Sequence, residues 1–408
     1  MFWRKYVMVI SPENCEEIAQ SRRIKVMEFI RVGNFESILS HHSAIRSCLA
    51  RIARREDLAV KTLKFSGYKF GVKISLPVDL SSLHLLSQKV ANLDLSMVNL
   101  TPAQLDVLLK ALSVSTVESQ KRRSLNIRKS SLAELSLQPD QFADIVVNKL
   151  DELNMSGTNP SEEQMRAVLM EILASGEGRR LRSLTMGYNI NIGLVEPDLL
   201  ASAVCQLTEV NLSGSALSVQ QIEAVLGEIN AARLERLEVL SLGNTDMSEV
   251  DSTPLGRAVC RVRKVQIWST KLNRHQLREI CQIIYKTKDR RLQQLDLEGN
   301  DVHQVFPETL GLAVCSLKSV DLHNCKVTLD QVNFIFNQLA ELPPARRNLR
   351  SITLTDKESV NYKENQSLAL NLDILRGQRM FQITKRFLQF HGVNDTKHWR
   401  FEDIRRIF

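Results

Sequence analysis

One unit recurs through most of this chain, and a recurring unit restricts a chain to architectures built by stacking. Residues 207–240 show it clearly. Leu207, Val210 and Leu212 alternate like a strand, and a turn follows. Ile222, Val225, Leu226 and Ile229 then keep helical spacing, and Leu237, Leu240 and Leu242 open the next strand. Period two against period 3.6 separates the two element types. The central apolar residues of the successive strands are Leu63, Leu93, Leu125, Leu153, Leu184, Val210, Leu240, Val265, Leu295, Val320 and Ile352. From Val210 to Val320 the spacing alternates between 30 and 25 residues, so the true period is a pair of 55.

Two helix types alternate between the strands. The first opens on a capping residue with Gln three positions on: Thr101/Gln104, Ser161/Gln164, Ser218/Gln221, Asn273/Gln276 and Thr328/Gln331. In a capping box the first side chain accepts from a free amide of the opening turn while the Gln reaches back to the cap's own amide. One such pair is weak evidence; five in register are strong. The second type is shorter and opens around Pro77, Pro139, Pro197, Pro254 or Pro307, and a proline is tolerated in the first turn. Three copies end in Ala-Val-Cys, at Cys205, Cys260 and Cys315. Equivalent positions two strands apart lie about 10 Å from each other, too far to share a metal. These thiols read as small buried apolar groups.

The strand-and-turn signature in LEVLSLGNTDM, LQQLDLEGNDV and LKSVDLHNCKV resembles L-x-x-L-x-L-x-x-N/C-x-L of leucine-rich repeats. The two-helix pair resembles the ribonuclease-inhibitor-like class, which also supplies the sensor ends of NOD-like receptors. The resemblance implies an α/β solenoid, a horseshoe with parallel strands on the concave face and helices on the convex face. It also implies binding of another macromolecule. Asn244, Asn300 and Asn324 are assigned to the family's Asn position, whose side chain binds backbone in the turn. The repeats are expected over 59–356. A helical cap is expected over 1–58, from helical spacing in 16–29 and 35–54. A second helical cap or docking segment is expected over 357–408, with helical spacing in 371–390.

A chain of 408 residues exceeds one ordinary core, and an array in which each repeat packs only on its neighbours escapes that limit. Seven cysteines, an odd and sparse set, do not make a disulfide framework, and a reducing, cytoplasmic setting is expected. No apolar stretch is long enough to cross a bilayer, and the N-terminus lacks the long apolar region of a signal peptide. There is no G-x-x-x-x-G-K-[ST] loop, H-E-x-x-H, G-x-S-x-G or C-x-x-C. The reading is therefore a non-enzymatic scaffold with no cofactor and no metal. The alternative is an enzyme regulator such as a GTPase activator, which would need an exposed catalytic Arg.

Two sets of residues are candidates for binding. Trp268 and Gln266 fall on the concave side, next to Ser241 and Gly243 in the preceding repeat. Asp296, Glu298, Asp321 and His323 follow in the next two repeats. A large ring above small residues and beside carboxylates has the composition of a binding anchor; packing of the ring within the turn explains it equally well. The second set is a basic rim in the loops that leave the capped helices. It holds Lys121, Arg122 and Arg123; Arg179, Arg180 and Arg182; Arg233 and Arg236; Lys288, Arg290 and Arg291; and Arg346, Arg347 and Arg350. A cation near a helix C-terminus is explained by the helix dipole, and the excess would face an anionic partner. With a net charge of +8, a protein with an acidic surface is the first choice of partner and a phosphate-rich polymer the second.

Overall fold

The computed structural model describes residues 7–10, 26–27, 29–32, 42–55, 59–60, 62–65, 74–75, 78–96, 98–114, 123–231, 236–341, 348–355 and 367–371. Two compact units divide the chain, Met1–Val210 and Asn211–Phe408. Both are built as a leucine-rich-repeat solenoid, with a ladder of short parallel strands backed by helices. No described helix is long and apolar enough to cross a membrane.

In the first unit the strands Val7–Ile10, Phe29–Val32, Thr62–Phe65, Asn92–Asp94, Ser124–Asn126, Glu152–Asn154 and Ser183–Thr185 pair in that order, all parallel. Leu63, Leu93, Leu125, Leu153 and Leu184 stand opposite one another, as the spacing requires. In the second unit Val239–Ser241, Lys264–Gln266, Gln294–Asp296, Ser319–Leu322 and Ser351–Thr355 form a parallel ladder. Its register runs through Leu240, Val265, Leu295, Val320 and Ile352. The antiparallel strand Ser367–Asn371 closes it. Each central residue is buried, and so is the apolar residue two places on: Leu242, Ile267, Leu297, Leu322 and Leu354.

Two strands precede the first one expected. Phe29–Val32 pairs with Thr62–Phe65 and places Ile30 opposite Leu63, while Val7–Ile10 extends the ladder outward. The helix expected over 16–29 therefore gives way at its end to the strands Val26–Met27 and Phe29–Val32; residues 16–25 lie outside the described ones. A short apolar run fits both periods, and Phe-Ile-Arg-Val favours the strand by its branched and aromatic side chains. The second expected helix is present as His42–Arg54, burying Ile45, Cys48, Leu49 and Ile52. The helical segment expected over 371–390 starts in a strand at Asn371 and otherwise lies outside the described residues.

All five capping boxes form in full. The proline helices Pro139–Lys149, Pro197–Cys205 and Pro307–Cys315 each begin on their proline, whose missing N–H costs nothing there. In Ser252–Arg261 the cap is Asp251 and Pro254 stands third. Pro77 lies outside the described residues. Pro139–Lys149, Ser252–Arg261 and Pro307–Cys315 each pack against the capped helix that follows. Two glycines in register set how closely: a Cβ on Gly256 would lie 2.6 Å from Ile283 Cδ1, and one on Gly311 2.4 Å from Phe334 Cδ1.

The turn after each strand corrects one assignment. Asn244 and Asn324 are exposed, with φ of +53° and +55°, where neighbouring repeats place Gly214 and Gly299. They serve as left-handed turn residues, which Asn tolerates better than most. The buried Asn position is the next residue, occupied by Thr245 and Cys325 in those repeats. Asn300 fills it as assigned. Its Nδ2 donates to Ile267 O and Leu297 O, and its Oδ1 accepts from the amides of Thr270 and Leu272. Asn189, unassigned from sequence, does the same for Met155 O, Met186 O and the Asn159 amide.

Candidate functional site

Strand alternation fixes which side chains leave the core. With Val265 and Ile267 buried, Lys264, Gln266 and Trp268 face the open side of the sheet. Pairing in register brings Gln266 beside Asp296, and Asp296 beside Asp321. The expected group of Gln266, Trp268, Asp296, Glu298, Asp321 and His323 thus shares one face of the second unit. None of the six is fully buried.

The Trp268 ring lies where Gly243 has no side chain. A Cβ built on Gly243 would sit 2.2 Å from both Cε2 and Nε1 of the ring. Beside Gly243, Ser241 is buried and its Oγ is 2.6 Å from Ser213 Oγ. The small-residue floor read from the sequence is real, and the half-buried ring rests on it. The indole is packed where it meets Gly243, and the residue as a whole stays partly exposed.

Burial raises the pKa of Asp296, and repulsion from Asp321 adds to the shift; the Glu298 amide, the Gln266 side chain and Lys264 oppose it. Glu298 is raised too, by burial first and by Asp296 and Asp321, with His323 pulling the other way. A depression of about 200 Å³ opens here, lined by Lys264, Gln266, Gln294, Asp296, Ser319 and Asp321. Among the described residues no His, Cys, Asp and Glu side chains gather as metal ligands do.

Part of this acidity has a local cause. Asp296 Oδ1 accepts from the Glu298 amide and Asp321 Oδ1 from the His323 amide, at 3.0 and 2.9 Å. Asp94, Asn126, Asn154 and Asn211 hold the amide two residues on in the same way. Such a side chain closes the strand into its turn. The signal was in the sequence, as Asp or Asn directly after the central apolar residue, and it escaped the reading. Asn serves this role as well as Asp, so the turn does not explain the charge on Asp296 and Asp321.

The rim residues divide. Arg122, Arg346 and Arg347 lie outside the described residues, with Lys121 and Arg233. Arg123 is only 4% exposed, and its pKa is lowered by burial and then by Arg180. Arg179 donates to Gly176 O at its own helix end. Arg180 pairs with Asp151 at 2.7 Å. Arg290 bridges Thr287 O and Ser316 O at 2.9 and 2.5 Å, and Arg291 donates to Arg261 O at 3.2 Å. Arg236 is half-buried, while Arg182, Lys288 and Arg350 are exposed. Several of these cations therefore join a helix end to the neighbouring repeat.

No protein-family model matches the chain, and no curated protein is similar to it in sequence. Among solved structures, the leucine-rich repeat-containing protein LegL7 from Legionella pneumophila is 16% identical with a TM-score of 0.47, covering 83% of this chain and all of that one. The yeast Rad7 and Elc1 complex gives 17% identity and a TM-score of 0.45, covering 88% of this chain and 86% of that one.

Proposed function

We propose that this chain is a protein-binding scaffold, a recognition or sensor subunit, that takes its partner on the open sheet face of the second unit. One observation carries the proposal: a Trp ring seated on glycine beside carboxylates whose charged form the fold disfavours. An aromatic ring packed on one side presents apolar area at little entropic cost, the property that makes Trp a frequent hot spot. The charges at Asp296 and Glu298 oppose the fold at neutral pH, and a cationic group from a partner would relieve that strain. The matching segment presents Lys or Arg to Asp296 and Asp321 and an apolar side chain to Trp268. A contact between the basic rim and an acidic protein surface is a second part of the reading, resting on the exposed Arg182, Lys288 and Arg350.

The test is Trp268→Ala in the full chain, measured by calorimetric titration against partners recovered with the wild-type protein. Affinity should fall by roughly 2 kcal/mol or more, about thirtyfold, while the melting temperature changes little. Unchanged affinity for every partner, with a clear drop in melting temperature, would reduce Trp268 to turn packing.

A further inference from the structure

The helices of the second unit carry a different surface, which the open-face reading does not use. Arg274 and Arg278 stand one turn apart on the capped helix Arg274–Lys286, and both are exposed. Their guanidinium carbons lie 5.7 and 5.4 Å from the centroid of the Phe306 ring, which the next repeat supplies from the loop before Pro307–Cys315. Phe306 is itself 47% exposed. Two guanidiniums thus converge on one ring across a repeat boundary, and neither makes an ion pair among the described residues.

The placement runs against helix stability. The first turn of this helix holds Arg274 and His275 and no acidic residue, whereas the capped helix Glu162–Ser175 begins with Glu162 and Glu163. A cation there meets the positive end of the helix dipole. The nearby lysines are answered: Lys271 pairs with Asp246 and Lys326 with Asp301, at 2.7 and 2.6 Å. Among the described residues, Arg274 and Arg278 are answered only by the ring.

We propose that Arg274, Arg278 and Phe306 form a docking surface for an acidic segment of a protein partner. A guanidinium held against an aromatic face keeps in-plane N–H donors for a carboxylate, which it can grip with two hydrogen bonds. One helical turn, about 6 Å, matches the separation of alternate side chains on an extended strand. Phe306 offers apolar contact between the two carboxylates. Nucleic acid fits less well, because it needs a continuous basic track, and Asp246, Asp301 and the exposed Glu308 break one here.

The probe is fluorescein-labelled deca-glutamate, titrated against the full chain by fluorescence anisotropy. The double variant R274E/R278E should lose at least tenfold in affinity. R46E/R128E, with the same change of net charge at exposed sites elsewhere, should lose less than threefold. The melting temperature of R274E/R278E should hold or rise, since Glu suits that helix end, so loss of binding and loss of fold move in opposite directions. If R274E/R278E fails to fold, Phe306→Ala decides: a loss of threefold or more supports the surface and an unchanged affinity overturns it. The proposal also falls if the wild type does not bind deca-glutamate, if both double variants weaken alike, or if decathymidylate binds the wild type more tightly. None of these outcomes involves Trp268, so the open-face reading stands or falls separately.

Discussion

Gln276 shows why the third residue of a capped helix here is glutamine and not the commoner glutamate. Its Oε1 accepts from the Asn273 amide, and its Nε2 donates to Met247 O and Val250 O at 2.7 Å each. Gln331 repeats the pattern with Val302 O and Val305 O, and Gln164 reaches Leu132 O. A carboxylate could close the cap but could not donate to the previous repeat's carbonyls. Gln276→Glu should therefore destabilise the protein by about 2–3 kcal/mol in urea unfolding: Val250 O loses its donor, Met247 O keeps only the Val250 amide, and a charge is buried. Gln104→Glu, whose cap is exposed, should cost less than about 1 kcal/mol. The box was legible in the sequence; the reach back was not, since it depends on which carbonyls the preceding turn presents. The slip at Asn244 and Asn324 has a similar root. Asn suits both a left-handed turn and the buried position after it, and residue type alone does not separate two sites one place apart.

At the scale of the element, the strand Gln294–Asp296 carries a charge that its fold does not require. Asn126, Asn154 and Asn211 make the same turn contact without one. The sign of the linkage follows from the raised pKa of Asp296. Its stability contribution is fully present below the ordinary value of 3.8 and is lost as pH rises through the folded value. Asp296→Asn keeps the acceptor and removes the titration. The variant should be more stable than wild type at pH 7 by thermal melting, with the difference vanishing below pH 3.8. A variant less stable at pH 7 would mean that Asp296 has a favourable partner in the free protein. The strand register itself was legible because Leu, Val and Ile recur where the core demands them. The strands before residue 58 were missed because a three- or four-residue strand leaves too few positions to distinguish alternation from helical spacing.

At the scale of the whole molecule, stability is distributed along the chain, because each repeat's contacts are with its neighbours. Leu240 is buried, with Leu242 behind it and Val265 opposite. Leu240→Asp should cost several kcal/mol, and hydrogen exchange should place the damage in Val239–Ser241 and Lys264–Gln266 while Asn92–Asp94 stays protected. Collapse of protection throughout the chain would show a single cooperative unit instead. Four buried cysteines of the second unit give the same question a chemical reading without mutation. Burial pushes the Cys260 thiol up to about 11 and those of Cys281, Cys315 and Cys325 to about 12, so these four side chains hold almost no thiolate at neutral pH. Each of these side chains can meet an alkylating reagent only when its own repeat opens. Timed exposure to iodoacetamide, read peptide by peptide in a mass spectrometer, should yield a separate labelling half-time for each cysteine. The native chain thus carries its own set of stopwatches, one to a turn of the solenoid.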